Sequence, residues 1–533
     1  MAEKKAHNTL GKHKQIGGAT WVVGVFSVLM IGIGAARDMV TAAFFGASDA
    51  IDAFMLAFTI SICVYGILTS VIDTAFLPLY TERLQKRHSN PSSLLYSVSL
   101  ATSAFLIVAS AILILLVPYY VPLIARGFSG TKLLMTERFC QALLALVFLN
   151  GLASLFKAVH NAHLKFALPS FTNILVPLCA LLFLLVFRRS MGVWSLVLGT
   201  IFGTLLKLVV MGPLVYDEMR QDGPGGLRGA ELKSIFTFSA LAAPLALGAA
   251  FTQVNVLVVQ AIATMLPAGS VAELAYADRV FQVPVNLVAL PLWTSVFPFL
   301  SRDWEGGDIS GFQETLTWGF RLILLVVAPI AVALIFGSKA VVGVLFMRGA
   351  FGPQAAQATA LVLTISAIGL IPISLGYLFG RALQATRGMW LFAAVSLLNV
   401  ALNGFGCVLL SRWWGIAGIA MSGAITFVLS ATVLAVILKR RTGVMIGRGQ
   451  FGLGIKVAIA SSGMVCVALG LAHGLNEVVS SHSRTYILVP VGSWFLGLVT
   501  YVLCLLLLRV QEVRKAVARS SAWWRSLLDR SWV

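Results

Sequence analysis

Long apolar runs separated by short polar links constrain this chain more than any other feature of its sequence. A helix needs about 20 apolar residues to cross the hydrocarbon of a bilayer. Runs of this kind cover residues 19–45, 52–81, 93–118, 139–161, 167–187, 192–215, 235–265, 271–300, 316–337, 356–384, 389–411, 414–438, 452–474 and 485–508. The pattern predicts an all-α polytopic membrane protein with about fourteen transmembrane helices.

The composition agrees with this prediction and excludes several other classes of protein. Hydrophobic residues make up 59% of the chain and charged residues 11%, whereas a soluble protein carries about 25% charged residues. The net charge of +19 is spread over short basic clusters between the apolar runs, so we expect no nucleic-acid partner. The six cysteines lie within apolar runs without close spacing, which predicts neither a disulfide framework nor a metal site.

The basic residues predict the orientation of the chain. If both termini are cytoplasmic, 23 Lys and Arg residues fall in cytoplasmic tails and links, 9 in outer links and 7 within spans. Because Lys and Arg accumulate on the cytoplasmic side of membrane proteins, we predict that both termini are cytoplasmic. The first apolar run is longer than a signal-peptide core, so we interpret it as a retained span.

A weak internal repeat predicts two lobes with the same orientation. "FFGASDAIDAF" with "DTAFLPLYTER" resembles "MLPAGSVAELAYADRVF" with "TSVFPFLSRDW", and each pair combines a Gly-containing link with a long span ending in Phe, Pro and charge. Transporters with two parallel halves show such repeats. We predict a cytoplasmic tail (1–18), a six-helix N-lobe (19–218), a six-helix C-lobe (219–441), two extra helices (442–508) and a basic, Trp-containing cytoplasmic tail (509–533).

Charged residues inside the first two spans form the first candidate site. Arg37 and Asp38 interrupt the first apolar run, and Asp52 follows early in the second. Charges within a bilayer usually face a cavity and a partner. Since adjacent residues of a helix point in different directions, we expect Asp52, rather than Asp38, to pair with Arg37. Alternatively, Arg37 and Asp38 form an interfacial cap of a shorter span.

A second acid–arginine pair, Asp278 and Arg279, lies near the start of the eighth span. It could also be an interfacial pair. Its place in the repeat favours a second reading, in which Arg37 and Arg279 face one another across a central cleft. Two guanidinium groups in a dry cavity suit a phosphate or diphosphate, which they can bind through paired hydrogen bonds.

Three further polar residues lie inside predicted spans. Lys207 interrupts the sixth span, where it could line a cavity or extend to the cytoplasmic side. Asn399 and Asn403 are one helical turn apart in the eleventh span. They could form a weak cation site, although packing hydrogen bonds are the more common reason for such residues.

At these residues the sequence resembles the MurJ/MviN family of lipid II flippases, in the superfamily that also contains the MATE exporters and O-antigen flippases. The resemblance lies in "ARDMVTAAFFGASDAIDAF", "HLKFALPSF", "LPAGSVAELAYADRVFQVP" with "FPFLSR", and "GRALQATR". It implies a cationic cavity between the lobes and a groove for a polyprenyl tail at the last two spans. It also implies that Arg37, Asp52 and Arg279 bind the diphosphate-linked headgroup or gate the cavity.

The chain departs from the family pattern in its N-lobe. Ile31 and Tyr65 stand where the family usually has arginines, and "TSVIDTAF" replaces a Glu-Gly-Ala stretch before the Phe-Pro end of the second span. The N-lobe therefore carries less positive charge than the resemblance implies. The acids of a family sodium site have no clear equivalent, and Asn399 and Asn403 are the nearest candidates.

These observations predict a flippase, not an enzyme, that moves a polyprenyl-diphosphate-linked cell-wall precursor across the bacterial inner membrane by alternating access. Lipid II is the expected substrate, and another lipid-linked glycan is the alternative. A MATE-like drug exporter is less favoured, because cationic drugs suit acidic cavities. No ATP-binding motif is present. We expect a monomer without a cofactor, with coupling to the membrane potential or to Na⁺ or H⁺.

Overall fold

The structure, a computed structural model, describes residues 2–85, 91–220, 232–444, 449–478 and 485–514. Over these ranges the chain forms helices joined by short turns, and they contain no strand. The prediction of an all-α protein is therefore confirmed. Most of the predicted basic tail (residues 515–533) lies outside the described residues.

Among the described residues, nine α-helices precede the link at residues 264–269. They are α1 (Ala2–Phe45), α2 (Asp49–Val71), α3 (Leu77–Gln85), α4 (Pro91–Ile124), α5 (Gly130–Leu143), α6 (Ala145–Ala162), α7 (Ala167–Met191), α8 (Trp194–Arg220) and α9 (Leu232–Ala263). Those that follow are α10 (Ser270–Pro284), α11 (Leu290–Glu305), α12 (Ile309–Leu345), α13 (Pro353–Ile368), α14 (Leu370–Ala385), α15 (Met389–Thr442), α16 (Gly449–Val478) and α17 (Thr485–Leu507).

Within the described residues, ten helices are long and apolar enough to cross a membrane, or eleven if the bent pair α13–α14 counts as one span. The predicted number of about fourteen is thus approximate. One reason is that α15 runs through two predicted spans, which meet at a non-helical residue, Gly415. A second reason is that α9 and α17 contribute shorter apolar segments, Gln253–Ala263 and Gly492–Leu507.

The second and eighth predicted spans, 52–81 and 271–300, are both long. Each contains one π-helical turn, at Ile72–Phe76 between α2 and α3 and at Val285–Ala289 between α10 and α11. A π-turn adds a residue to the helical repeat without ending the helix. Both spans therefore continue past the turn, as Asp49–Gln85 and Ser270–Glu305.

The chain divides into two compact units. The first unit consists of Met1–Tyr276, Phe346–Ala355 and Asn403–Ile416. The second consists of Ala277–Leu345, Ala356–Leu402 and Ala417–Val533. The division into lobes at residues 218 and 441 and into flanking segments stays a prediction.

In the first unit, α7 and α8 pack through small residues. Cβ atoms added at Gly199 and Gly203 would meet the α7 backbone at Ala180 and Val176. Such a Gly-x-x-x-Gly spacing lets two membrane helices approach closely. Because Lys207 follows Gly203 by four residues, it lies on the same face of α8.

In the second unit, α12, α16 and α17 share an apolar core that includes Leu325, Met464 and Tyr501. The buried Tyr501 hydroxyl donates a 2.9 Å hydrogen bond to the Leu325 carbonyl. At the start of α12, Asp308 accepts hydrogen bonds from the Ser310 hydroxyl and the Gly311 N–H, which lower the pKa of Asp308. The predicted tail groove at the last two spans stays a prediction.

Candidate functional site

Arg37 and Asp38 form an ion pair near the end of α1. The Arg37 Nε and Nη2 atoms lie 3.0 and 2.7 Å from the same Asp38 carboxylate oxygen. The side chains are 14% and 7% exposed. The expectation that adjacent residues would not pair is wrong, because the long arginine side chain brings its guanidinium back to the short aspartate. The pairing is the one that the interfacial-cap alternative requires, and the substrate role of both residues stays a prediction.

Asp52, in the first turn of α2, connects three helices of the first unit. Its carboxylate accepts hydrogen bonds from Lys132 Nζ of α5 at 2.7 Å, the Gly269 N–H at 2.7 Å and the Ala272 N–H at 2.8 Å. The Asp52 side chain is 1% exposed. Since the first N–H groups of a helix lack partners within that helix, Asp52 acts as a cap for α10 supplied from another helix.

The expected Asp52–Arg37 pair is therefore wrong, because the Asp52 carboxylate is engaged by Lys132 and by backbone donors. Lys132 also contacts Asp49 at 2.7 Å and lies 4.2 Å above the Phe128 ring. Sequence reasoning missed Lys132. The available signal was its position. Lys132 lies in the link before the fourth predicted span (139–161), and that link is predicted to be on the same side of the membrane as the acidic first turn of α2.

The links of the first unit pack against one another beside Asp52. The Ala350 N–H donates a 2.8 Å hydrogen bond to the Ala43 carbonyl. Gly349 has φ +59°, and a Cβ atom there would collide with the Ala43 carbonyl oxygen. Below these links, the buried Tyr276 ring packs 5.0 and 5.5 Å from the rings of Phe346 and Phe351. Backbone contacts thus hold the link at residues 346–352 against the end of α1.

Asp278 and Arg279 lie two and three residues beyond Tyr276, within the second unit. Both residues are exposed. Asp278 accepts a 3.3 Å hydrogen bond from the Gln282 side chain one turn further along α10. The hypotheses that this pair binds substrate, and that Arg279 shares a cavity with Arg37, stay predictions.

Lys207 meets Asn173 of α7 on the face that Gly199 and Gly203 bring close to that helix. Its ammonium donates a 2.8 Å hydrogen bond to the Asn173 side-chain oxygen. It also interacts electrostatically with Lys157 and Asp73, which form an ion pair of 2.7 Å. Whether Lys207 lines a substrate cavity stays a prediction.

The two candidate cation ligands, Asn399 and Asn403, fall in different units. The Asn399 amide donates to the Ser430 hydroxyl at 2.8 Å, and the Asn403 amide donates to the Asn255 oxygen at 3.0 Å. In the part of the chain that the structure describes, no three His, Cys, Asp or Glu side chains form a metal-binding group. The weak cation site stays a prediction.

Comparisons with known proteins give the same family along most of the chain. A family model described as "Lipid II flippase MurJ" matches residues 41–492. A probable lipid II flippase MurJ of Buchnera aphidicola subsp. Acyrthosiphon pisum is 26% identical over 457 residues, which cover 83% of this chain and 88% of the relative. The lipid II flippase MurJ of Burkholderia cenocepacia is 27% identical over 365 residues, 67% of this chain and 71% of that protein.

Solved structures show a similar fold. A "Lipid II flippase MurJ, inward closed conformation" superposes with a TM-score of 0.76 at 18% identity, covering 95% of this chain and 99% of that chain. An inward-facing multidrug resistance MATE family transporter of the MOP superfamily reaches a TM-score of 0.65 at 11% identity, with 79% and 94% covered. At these identities, the likeness concerns the fold alone.

Proposed function

This chain belongs to the lipid II flippase MurJ family, and on that premise we propose that it moves lipid II across the bacterial inner membrane, from the cytoplasmic to the outer leaflet. The observation that carries the proposal is the match of the family over residues 41–492 of a 533-residue chain. The helices long and apolar enough to span a bilayer supply the fold that this function needs.

The contacts of Asp52 support a gating role within this function. Alternating access requires contacts that hold one end of the transporter closed and then release. Asp52 holds the start of α10 through the Gly269 and Ala272 N–H groups, and Lys132 neutralises the buried carboxylate. Separation of α2 from α10 would break these contacts together, so we propose that they act as a latch.

Arg37 and Arg279 are the residues that we propose to bind the anionic headgroup, one in each unit. A guanidinium matches two oxygens of the lipid II diphosphate through parallel N–H donors. Arg37 already directs two of its N–H donors at one carboxylate oxygen of Asp38. A diphosphate could replace Asp38 as the acceptor when the substrate enters.

The driving force in this proposal is the membrane potential. It is negative inside and favours outward movement of an anionic headgroup, by about 2.3 kcal/mol per charge for each 100 mV. A cation bound weakly by Asn399 or Asn403 is the further coupling that we propose. The protein acts as a transporter rather than an enzyme, as a monomer with both termini cytoplasmic.

A lipid-linked glycan other than lipid II is a second candidate substrate. The observation in its favour is that Ile31 and Tyr65 occupy positions at which the resemblance implies arginines. A headgroup with fewer negative charges, or a different sugar, would need fewer cationic groups. The polyprenyl diphosphate carrier and the direction of transport would be the same.

Complementation of a strain depleted of its own lipid II flippase tests the proposal. We expect this protein to restore growth and normal cell shape, and an Asp52→Asn variant at equal membrane level to fail. Asp49→Asn is the matched control, because Asp49 is 60% exposed and contacts the same lysine. Failure of the wild-type protein to rescue, with normal membrane insertion, would favour another glycan.

A further inference from the structure

A polar seam joins span 2 to α6 in the first unit, apart from Arg37 and Asp52. The Ser154 hydroxyl of α6 donates a 3.2 Å hydrogen bond to Thr69 of α2. One turn further along both helices, Lys157 Nζ lies 2.7 Å from an Asp73 carboxylate oxygen. The second predicted span and α6 are thus joined by two polar contacts, one helical turn apart, where membrane helices ordinarily pack through apolar side chains.

Asp73 lies in the π-helical turn Ile72–Phe76. In this turn Ile72 and Phe76 are buried, whereas the Asp73 side chain is 36% exposed. π-turns occur mostly as single turns inside α-helices and frequently at functional sites. The turn places a carboxylate in the interior of a span, which apolar packing would not require.

Lys207 extends this group of charges to α8. It lies 13 residues from each end of α8, which runs from residue 194 to residue 220. Helix α8 packs against α6, which carries Lys157, and this packing brings the Lys207 ammonium within electrostatic range of Lys157 and Asp73. Two ammonium groups and one carboxylate give the cluster a net charge of +1.

The cluster has the capacity to bind an additional anion. An ammonium has three N–H donors, and among the described residues one acceptor is recorded for each: Asp73 for Lys157 and Asn173 for Lys207. The Lys157 side chain is 31% exposed. Lys157 lies near the end of α6 (Ala145–Ala162), so its remaining donors can reach water or a ligand at that end of the span.

We propose that Lys157 and Lys207 form a phosphate-binding site of the first unit, which takes the diphosphate of the polyprenyl-linked substrate on entry, before Arg37 and Arg279 bind it. This inference rests on the proposed function and names a part of its substrate site. Asp73 holds Lys157 in place when the site is empty and competes with the incoming anion. The two lysines supply positive charge in a lobe where Ile31 and Tyr65 supply none.

The test measures binding of a polyprenyl diphosphate to the purified full-length protein in lipid nanodiscs. Lys157→Gln and Lys207→Gln should each weaken binding about tenfold, since each removes a charged hydrogen-bond donor. The matched control is Lys456→Gln, which removes a lysine from a predicted span of the second unit and should leave the affinity unchanged. Equal affinity in all three variants would overturn the proposal.

Asp73→Asn separates binding from a merely structural ion pair. Removal of the carboxylate raises the net charge of the cluster to +2 and removes the competing acceptor, so the affinity for the diphosphate should rise by about threefold or more. If the ion pair only stabilises the fold, Asp73→Asn and Lys157→Gln should both lower thermal stability. In that case Asp73→Asn should not raise the affinity for the diphosphate while Lys157→Gln lowers it. That outcome would refute the site, even if a Gln variant folded poorly.

Two further experiments distinguish a lipid diphosphate from free diphosphate as the ligand, and failure of the proposed site from failure of the proposed function. Inorganic diphosphate should compete weakly with the lipid; competition at equal concentration would show a site for the free anion and overturn the assignment to the substrate. Transport of lipid II is measured separately in proteoliposomes. If the wild-type protein binds the polyprenyl diphosphate through its lysines but does not transport lipid II, the proposed function is contradicted and the site is not. If both Gln variants bind and transport normally, the site alone is contradicted.

Discussion

The carboxylate of Asp52 accepts a 2.7 Å hydrogen bond from the backbone N–H of Gly269, a residue 217 positions further along the chain. The contact joins the start of α2 to the start of α10, and it is made by an acid that is 1% exposed. A buried carboxylate needs hydrogen bonds and a counter-charge. The Ala272 N–H and Lys132 supply the remainder.

Replacement of Asp52 by Asn should destabilise the protein and abolish transport. The neutral amide leaves Lys132 without its buried counter-charge, and loss of one partner of a buried pair costs about 3–5 kcal/mol. Asp49→Asn should cost under about 1 kcal/mol, because Asp49 is 60% exposed. Thermal unfolding in detergent compares the two variants. Equal melting temperatures for both would show that Asp52 is not the buried anchor.

Lys132→Met should also destabilise the protein, and its effect should not add to that of Asp52→Asn. Lys132 Nζ is 2.7 Å from Asp52, so each single change removes the same ion pair. Contacting residues commonly show coupling energies of about 0.5–3 kcal/mol in a double-mutant cycle. A double variant whose loss equals the sum of the single losses would contradict direct coupling.

Arg37→Lys and Arg279→Lys should lose most transport while the protein reaches the membrane at normal levels. Lysine keeps the charge but lacks the planar fork of donors that arginine directs at one acceptor group. Arg37 uses two of these donors on Asp38. The measurement is lipid II translocation in proteoliposomes. Transport near the wild-type rate in both Lys variants would leave a diffuse electrostatic role at most.

Gly349→Ala should impair both stability and transport. Gly349 has φ +59°, a conformation that costs an L-residue about 1–2 kcal/mol, and a Cβ atom there would collide with the Ala43 carbonyl oxygen. The matched control is Gly343→Ala in α12, where a Cβ atom meets nothing within 4 Å. This control should be neutral or slightly stabilising. Similar melting temperatures and transport rates in both variants would show that the close approach at Gly349 does not matter.

Cysteine labelling in intact cells tests the predicted orientation. An impermeant thiol reagent should label a protein with Ala268→Cys, because both residue 268 and its link are predicted to be external and Ala268 is exposed. It should not label Ser310→Cys, which is equally exposed in a predicted cytoplasmic link. The wild-type chain, with its six native cysteines, is the background control. The reverse pattern would invert the topology.

The helices of this protein could be predicted from its sequence, but the partners of its charged residues could not. Apolar run length determines which segments span a bilayer, and this information is local. The partners of Asp52 are 80, 217 and 220 residues away, and two of them are backbone groups that carry no sequence signal. The Arg37–Asp38 pair was expected only in the interfacial-cap alternative, because adjacent side chains of a helix start in different directions. The length of the arginine side chain overcomes this divergence.

The residues that form the latch at Asp52 should differ in their sensitivity to mutation. Of the groups that its carboxylate binds, two are peptide N–H groups of Gly269 and Ala272, which persist through every substitution except proline. A random mutant library should therefore give many loss-of-function alleles at codon 52 and few at codon 272. Codon 269 differs, because Gly269 has φ +93° and a Cβ atom there would lie 2.9 Å from the Ala47 carbonyl oxygen. Second-site revertants of a codon 52 allele should map to the codon of Lys132, because Lys132 is the partner whose charge a substitution can remove.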